Sequence, residues 1–266
     1  MKIAVVTGGG HGIGRALCRR LAADGLTVVV VDLEKDAAET VAGEIRGHAY
    51  PLDVSDAAAF EAMIEHVETN IGPIDLFVSN AGVAYGDAGG MAASRAGGAR
   101  PCNDRWDACW NINVMPHVYA ARKLVPLMIE RGGGYLVNVA SAAGVLSQIG
   151  DAAYSATKHA SVGFAESLAI THGDDGINVS VVCPQAVATR LIGIEDDSES
   201  LEGGFGGNEV DGILRPEEVA DCIVDGMRKG RFMILPHAQV TDYLQRKAAD
   251  YDRWIKGMRR FRASLR

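Results

Sequence analysis

The sequence predicts an α/β fold: a single-domain, doubly wound parallel sheet of about seven strands with helices on both faces. Two observations lead to this prediction. Short apolar runs of strand length alternate along the chain with longer segments of helical period. The runs at 28–31 and 179–182 are almost continuous in valine, which is typical of strands that helices cover on both faces. Because crossovers between parallel strands are right-handed, such an alternation winds into a sheet with helices on its two sides.

Seven apolar runs make up the predicted sheet. In chain order they are Ile3–Thr7, Thr27–Asp32, His48–Leu52, Asp75–Asn80, Tyr135–Ala140, Asn178–Cys183 and Phe232–Leu235. Ligands of open parallel sheets bind beyond the carboxyl ends of the strands. The residues that directly follow each run are therefore the first candidates for a functional site.

Composition excludes several classes of protein. The 266 residues are 48% hydrophobic, and a chain of this length buries roughly three quarters of its unfolded surface. Acidic residues outnumber basic ones by 34 to 26, which argues against a nucleic-acid partner. The cysteines and histidines show no metal-ligand spacing, so no metal site is expected. No signal peptide or membrane span is apparent, and the cysteine usage fits a reducing compartment, so we expect a cytoplasmic protein.

Three segments depart from the alternation. Segment 84–101 is rich in Gly and Ala and is either a surface insertion or a substrate rim. The acidic, Gly-rich segment 192–211 follows a strand on the ligand side, and we interpret 189–212 as a substrate lid. Apolar residues at helical spacing predict one amphipathic helix over 241–266, packed on the catalytic domain (1–240) or on a sister subunit.

A glycine-rich turn, TGGGHGIG at 7–14, lies between the first strand and the first helix. Without Cβ atoms the backbone can approach a pyrophosphate closely, and the N–H groups at the helix start hold its charge. The candidate cofactor-binding residues of this turn are Gly8, Gly10, His11, Gly12, Ile13 and Gly14. The spacing is G-x-x-x-G-x-G and not the common G-x-G-x-x-G, so the turn alone does not establish a dinucleotide site.

The second predicted strand ends at Asp32, 18 residues beyond Gly14, near the interval expected for the acid that binds an adenosine ribose. This carboxylate would repel the 2′-phosphate of NADP by about 4 kcal/mol at about 4 Å and an effective dielectric near 20. Leu33 adds no compensating cation, and His11 and Arg15 are the only nearby basic candidates. These residues favour NAD, with a helix cap as the alternative role for Asp32.

The fifth predicted strand leads into Ser141, and Tyr154 and Lys158 follow at the start of a helical segment. Tyr154 and Lys158 are four residues apart and therefore share one helical face. Lowering the phenol pKa by about 3 requires roughly 4 kcal/mol, which a partly buried ammonium a few ångströms away, helped by oxidised nicotinamide, can supply. We therefore expect Tyr154 to exchange protons near neutral pH, the alternative being an ordinary exposed helix pair.

Taken together, these pieces resemble the short-chain dehydrogenase/reductase family over nearly the whole chain. The matching pieces are TGGGHGIG at 7–14, Asp32, Asp53-Val54, Asn80-Ala81-Gly82, Asn113 within WNINV, Ser141, the Y-x-x-x-K of Tyr154 and Lys158, and 184–189. The resemblance implies a Rossmann-type single domain, a homodimer or homotetramer, and hydride transfer between NAD(P) and an alcohol or carbonyl.

The resemblance also assigns roles to individual residues. Tyr154 would be the general acid and base, Ser141 would hold the substrate oxygen, and Lys158 would bind the nicotinamide ribose. Asn113 would anchor a water that links Lys158 to solvent. The further cofactor-binding residues that it implies are Leu33, Asp53 and Val54 near adenosine, Asn80, Ala81 and Gly82 along the ribose, and Pro184, Val187 and Thr189 towards the carboxamide.

Two positions depart from the family pattern. Gln185 follows Pro184 where the family usually has glycine, so we expect its side chain to project into the substrate pocket. Pro116 stands where a small residue is common, and it removes a hydrogen bond to the carbonyl of Ile112. Pro116 could either hold the bend at Asn113 or shift it.

These observations predict an NAD-dependent alcohol dehydrogenase or carbonyl reductase that acts on a hydrophobic secondary alcohol or ketone. The expected pocket residues are Met91, Ala142, Val145, Leu146, Ile149, Gln185, Leu191, Ile192 and Phe205. Since few of them are polar, a polyol or sugar is less favoured. Two alternatives stay open: an NADPH-dependent biosynthetic ketoreductase, and a non-catalytic protein of the same fold that senses NAD.

Overall fold

The computed structural model describes residues 2–85, 103–198, 201 and 211–264. Its centre is one sheet of seven parallel strands in the order β3-β2-β1-β4-β5-β6-β7. The strands are β1 Ile3–Thr7, β2 Thr27–Asp32, β3 His48–Pro51, β4 Ile74–Ser79, β5 Gly134–Val139, β6 Ile177–Val182 and β7 Met233–Ile234. The predicted α/β fold is confirmed, and the predicted strands lie within one or two residues of the observed ones.

Helices cover both faces of the sheet. In the described ranges they are α1 Gly12–Ala23, α2 Lys35–Ile45, α3 Ala57–Asn70, α4 Asn103–Asn113, α5 Met115–Glu130, α6 Ala152–His172, α7 Pro216–Arg228, α8 Gln239–Ala249 and α9 Tyr251–Ser264. Alternate residues of each strand enter different cores: Ile3 and Val5 pack with α3, α5 and α6, whereas Ala4 and Val6 pack with α1, α2 and α7. Burial on both faces explains why the strands read as continuous apolar runs.

The strand order places the functional edge of the sheet. β1 pairs with β2 on one side and with β4 on the other, so the direction of winding reverses at β1. A crevice forms beyond the carboxyl ends of strands at such a reversal. The glycine turn follows β1, Asn80 follows β4, Ser141 follows β5 and Pro184 follows β6. The predicted site residues are therefore gathered along one edge.

The C-terminal stretch corrects one prediction, because it forms two helices and not one. Asp250 separates α8 from α9, with extended backbone at φ −157° and ψ 95°. Its carboxylate accepts the N–H of Arg253 at 2.9 Å and so caps the first turn of α9. The apolar spacing continues across this break, which is why the sequence pattern alone predicts a single helix.

Several sequence expectations fall on residues outside the described ranges. These are Met91 with most of segment 84–101, and Phe205 with positions 199–200 and 202–210 of the predicted lid. Within the described ranges, no helix combines the length and hydropathy that a membrane span requires. In the same part of the chain, no group of three or more His, Cys, Asp or Glu side chains could hold a metal ion.

Candidate active site

Ser141 and Tyr154 are brought together by two helix starts. Ser141 begins a short 3-10 turn, in which the Ala143 N–H donates to the Ser141 Oγ at 3.1 Å. Asp151 caps α6 by accepting the Tyr154 N–H at 2.9 Å, which fixes Tyr154 in the first turn. The Ser141 and Tyr154 side chains lie close enough for Ser141 to lower the pKa of the phenol. The two hydroxyls predicted to share a site therefore do so.

Lys158 lies one turn further along α6 and is buried. Its ammonium donates to the carbonyl of Val139 at 3.0 Å and lies 5.6 Å from the centre of the Tyr154 ring. Burial lowers the pKa of Lys158 to about 8, because a charged amine loses hydration there. The amine is thus held behind the phenol, on the side of the sheet.

The tyrosine pKa differs from the sequence-based expectation. Burial raises the pKa of Tyr154 to about 12, and the nearby Ser141 side chain offsets this rise only in part. The protein's own groups, Lys158 included, therefore do not produce the expected lowering towards neutrality. The physical reason is that desolvation of the phenolate outweighs the attraction of an ammonium that is turned towards a backbone carbonyl. Tyr154 is protonated at neutral pH and can donate a proton.

Asn113 ends α4 and connects three parts of the site. Its side chain accepts the Val83 N–H at 2.8 Å and donates to the Val83 carbonyl at 2.9 Å and to the Thr157 hydroxyl at 3.2 Å. A Cβ at Gly82 would lie 3.2 Å from the Asn113 Oδ1 and 3.3 Å from the Lys158 Nζ. Asn113 therefore joins the segment after β4 to α6, beside Lys158. Its role in holding a water stays a prediction.

Pro116 resolves one open alternative. It occupies the second residue of α5, in the first turn, where a helix needs no backbone N–H donor. α4 ends at Asn113 and α5 begins at Met115. Pro116 therefore starts the new helix, and the bend at Asn113 is kept.

The glycine turn is held tightly against β4. The Asn80 side chain donates to the carbonyls of Thr7 and Gly8 at 2.9 and 3.1 Å, and the Thr7 hydroxyl accepts the Asn80 N–H at 2.9 Å. A Cβ at Gly14 would lie 2.0 Å from the Gly8 carbonyl oxygen. Gly12 has φ +49°, in the region that favours glycine. The turn therefore has no room for side chains that would cover its N–H groups.

Asp32 closes the other side of the turn. It is buried at the end of β2, where its two oxygens accept the N–H groups of Gly10 at 2.8 Å and Glu34 at 3.0 Å. Leu33 beside it is 70% exposed, so its side chain offers an apolar surface to a ligand. This arrangement fits a carboxylate that is fixed in place before a ligand arrives.

The structure adds residues that the sequence did not point to. Asp196 accepts the Gly12 N–H at 2.9 Å and contacts the His11 Nδ1 at 2.6 Å. Burial alone would raise the pKa of Asp196, but the bonds from Gly12 and His11 lower it. Arg190 contacts the His11 Nε2 at 3.1 Å and lies among the acids Glu34, Glu195 and Asp196. A carboxylate of this chain thus sits at the start of α1, where helices bind anions.

The other predicted cofactor residues lie along the same edge. Asp53 accepts the N–H and hydroxyl of Ser55 in an exposed turn after β3, and Val54 next to it is buried. A Cβ at Gly12 would lie 2.7 Å from the Thr189 Cγ2. Val187 forms a bridge with Leu214, and the Pro184 carbonyl accepts from the Ala142 N–H and the Ser141 hydroxyl at 2.8 and 3.4 Å. Ile13 is partly buried and packs against the core on the α1 side of the sheet. A Cβ placed at Gly8 would lie 2.9 Å from the Cα of Ala81, so the two backbone segments are in close contact.

A cavity of about 410 Å³ opens beside Ser141 and Tyr154. Of the predicted pocket residues, the cavity wall includes Ala142, Leu146, Ile149, Gln185, Leu191 and Ile192. Val145 is not part of that wall and is buried in the hydrophobic core instead. The wall also contains residues that sequence reasoning missed, namely Asp211, Tyr243, Arg246, Trp254, Met258 and Phe261. The apolar residues at helical spacing in 241–266 indicated that this stretch packs against another surface. They did not indicate that this surface includes the cavity wall.

Known proteins match both the sequence and the fold. A family model described as short chain dehydrogenase matches residues 2–199. The meso-2,3-butanediol dehydrogenase of Serratia marcescens is 34% identical over 193 residues, which cover 71% of this chain and 73% of that protein. The D-threitol dehydrogenase of Mycolicibacterium smegmatis is 33% identical over 196 residues, with coverages of 71% and 72%.

A solved structure shows the same architecture. The structure of a short chain dehydrogenase/reductase from Burkholderia phymatum in complex with NAD aligns with a TM-score of 0.80 at 25% identity, over 94% of each chain. Members of the family bind a nicotinamide cofactor, and the predicted resemblance is confirmed. This chain belongs to the short-chain dehydrogenase/reductase family of oxidoreductases.

Proposed function

We propose that this protein interconverts a secondary alcohol and its ketone, using NAD. The observation that carries the proposal is that Ser141 and Tyr154 border the same cavity, with Lys158 buried one turn behind. This arrangement provides a proton donor and acceptor at the point where a substrate oxygen can be held. The names of the butanediol and threitol relatives support an alcohol as substrate.

The residues along the sheet edge fit a dinucleotide. Asp196 stands in for a phosphate, since its carboxylate already takes the Gly12 N–H at the start of α1. The glycine turn, Asp32 and the Asn80–Gly82 segment would hold the adenosine and ribose parts. When bound, the nicotinamide ring supplies the hydride acceptor or donor. We infer that Asp196 must leave Gly12 when the cofactor pyrophosphate binds there.

The charges near Asp32 favour NAD over NADP. Glu34, Glu195 and Asp196 surround the His11 ring and the Arg190 guanidinium. Arg15 is paired with Asp197 at 2.8 Å. A 2′-phosphate would meet the Asp32 carboxylate with repulsion of about 4 kcal/mol at about 4 Å and an effective dielectric near 20. The basic groups available to offset that repulsion are already paired with acids.

The chain's own groups would move the proton. In ketone reduction Tyr154 donates its hydroxyl proton to the substrate oxygen, which Ser141 holds by a hydrogen bond. In alcohol oxidation the same phenol must first lose its proton, so oxidation is expected to speed up as the pH rises. Lys158 would bind the nicotinamide ribose and favour the phenolate by its positive charge. The cofactor and substrate thus meet at the first two turns of α6.

A fluorescence titration and an absorbance screen test this proposal. NADH and NADPH are titrated against the protein, and a panel of secondary alcohols is then screened with NAD for formation of reduced nicotinamide. We expect tighter binding of NADH and turnover of several alcohols. Preference for NADPH would contradict the cofactor assignment, and normal NAD binding without turnover of any alcohol or ketone would contradict the enzymatic one.

A homodimer or homotetramer and a cytoplasmic location stay predictions. Ile170 on α6 is 85% exposed and Trp110 on α4 is 45% exposed, which supports association through these helices. Light scattering after size-exclusion chromatography tests the oligomer, and a monomer at micromolar concentration would contradict it.

A further inference from the structure

The cavity beside Ser141 and Tyr154 contains a second set of polar groups, formed by Gln185, Asp211 and Tyr243, which we call the polar cluster. The Tyr243 hydroxyl donates to one oxygen of Asp211 at 2.8 Å, and the Gln185 Nε2 donates to the other at 3.1 Å. These residues come from the segment after β6, the segment before α7, and α8. The cluster therefore joins three separate parts of the chain at the cavity wall.

The cluster fixes how the Gln185 amide is turned. A carboxylate can only accept hydrogen bonds, so the amide nitrogen of Gln185 must face Asp211 and the amide oxygen must face away. The backbone of Gln185 is held as well, since its N–H donates to the His237 Nδ1 at 3.2 Å. Gln185 therefore presents a carbonyl oxygen in a set direction, on a side chain that borders the cavity.

That carbonyl oxygen is buried and has no hydrogen-bond partner among the described residues. Buried carbonyl groups in folded proteins are almost always paired, because an unpaired one loses its hydration without compensation. An N–H or O–H group of a substrate in the cavity would pair with it. The neighbouring Asp211 makes an anionic substrate group unfavourable there, which selects a neutral donor.

Gln185 belongs to a chain segment that contacts Ser141. Gln185 directly follows Pro184, whose carbonyl accepts the Ser141 hydroxyl at 3.4 Å. The segment that carries Gln185 is therefore held against Ser141, and both residues border the cavity. The rest of the wall is mostly apolar, with Leu146, Ile149 and Trp254 among its residues.

We propose that Gln185 is a specificity-determining residue that accepts a hydrogen bond from a second hydroxyl group of the substrate. The substrate class is then a diol, or the matching hydroxyketone, with an apolar carbon body. This inference rests on the proposed function. The sequence analysis disfavours a polyol because few of the expected pocket residues are polar. One hydrogen-bond acceptor in a fixed orientation, the Gln185 amide oxygen, is nevertheless enough to favour a substrate with a second hydroxyl.

The test compares two alcohols that differ by one hydroxyl, cyclohexanol and trans-1,2-cyclohexanediol, with NAD as oxidant. We expect kcat/KM to be at least tenfold higher for the diol, the factor expected from one buried hydrogen bond. In Gln185→Leu the ratio of the two kcat/KM values falls to near one. Asp211→Asn lowers the ratio by less, because Gln185 remains but nothing charged holds its amide in one orientation.

Gln148 offers a matched control, since it borders the same cavity while its backbone is hydrogen-bonded to Ser155. Gln148→Leu is expected to keep the diol-to-alcohol ratio of the wild type. Titration with NADH checks that each variant is folded. Equal kcat/KM for both alcohols in the wild type, or an unchanged ratio in Gln185→Leu, would overturn the inference and leave the proposed function standing. Turnover of neither these alcohols nor any other by the wild type would instead mark failure of the proposed function.

Discussion

The proposed cofactor half of the site is built largely around backbone groups, whereas the proposed substrate half is built from side chains of distant segments. In the cofactor half, the N–H of Gly10 donates to Asp32 and the Thr7 and Gly8 carbonyls accept from Asn80. In the substrate half, the Lys247 ammonium anchors α8 to the Val145 carbonyl at 2.6 Å, across 102 residues of sequence. The first half depends on the spacing of a motif, and the second depends on how the chain's last helices pack.

This difference explains what each half can recognise. Backbone N–H groups and fixed carboxylates recognise charge and hydroxyls that every dinucleotide has in common. Side chains from α8 and α9 instead help to set the shape and polarity of the cavity. The predictions below test each half separately, from the largest expected effect to the smallest.

Removing the phenol hydroxyl should have the largest effect. Tyr154→Phe is expected to lower kcat by about 10²–10⁴, because the proton donor and acceptor is lost while the ring remains. The Kd for NADH should stay within about threefold of the wild type, since the dinucleotide is held mainly by the other half. Steady-state kinetics and fluorescence titration measure the two effects. Retention of more than about a tenth of kcat would remove Tyr154 from the chemistry.

The buried His117 should make stability depend on pH. Burial and the nearby Lys158 charge lower the pKa of His117 to about 4 from an ordinary value of 6.5. The unfolded chain therefore binds more protons than the folded one between pH 6.5 and 4, so stability falls as the pH falls through this window. The loss amounts to about 3 kcal/mol across the window.

His117→Gln should flatten this part of the pH dependence, since glutamine does not titrate and can still hydrogen-bond to Asn138, which His117 contacts at 2.9 Å. Urea unfolding at pH 7 and at pH 4.5 gives the free energy of unfolding at each pH, and the difference between them gives its slope with pH. His66→Gln, at an exposed position on α3, is the control and should keep the wild-type slope. Equal slopes for His117→Gln and the wild type would show that His117 does not titrate in this window.

The acid at the end of β2 should set the choice of cofactor. Asp32→Asn is expected to reduce the preference for NADH over NADPH at least tenfold, because the repulsion of about 4 kcal/mol towards a 2′-phosphate is relieved. The amide oxygen can still accept the Gly10 N–H, so the turn should keep its shape. Glu34→Gln, at an exposed neighbouring position, should change the ratio less. Fluorescence titration gives the ratio of the two Kd values, and an unchanged ratio would remove Asp32 from the cofactor site.

The carboxylate at the glycine turn should compete weakly with the cofactor. Asp196→Asn is expected to tighten NADH binding about two- to fivefold, the range for a single charge at a helix N-terminus. Asp197→Asn is the matched control, because Asp197 is 70% exposed and pairs with Arg15. The Kd of Asp197→Asn for NADH should equal that of the wild type. Weaker NADH binding in Asp196→Asn would show that Asp196 supports the turn and does not compete.

The sequence predicts the fold well because strand and helix signals are local. The valine runs of β2 and β6 are apolar on both faces, and their bounds are found within a residue. The break at Asp250 is missed, because an aspartate in an amphipathic pattern reads equally well as a solvent-facing helical residue. Its capping bond to Arg253 is visible only in the structure.

The site is predictable to a different extent in its two halves. Ser141 lies just after the end of a predicted strand, and Tyr154 and Lys158 lie one helical turn apart at the start of a predicted helix. Their position in one site can therefore be anticipated from the sequence. Asp196 and Asp211 lie in an acidic, Gly-rich segment without periodicity, and nothing in that segment indicates which acid turns inward. Both contacts span long sequence separations, 184 residues for Asp196 with Gly12 and 26 for Asp211 with Gln185. The raised pKa of Tyr154 also depends on burial, which spacing does not reveal.

A crystal structure of the protein with NADH tests the central claim most directly. The account predicts a phosphate oxygen on the Gly12 N–H with Asp196 displaced, adenosine ribose hydroxyls on Asp32, and the nicotinamide ring facing the Tyr154 hydroxyl in the cavity. A dinucleotide bound elsewhere with Asp196 still on Gly12, or a nicotinamide remote from Tyr154, would contradict it.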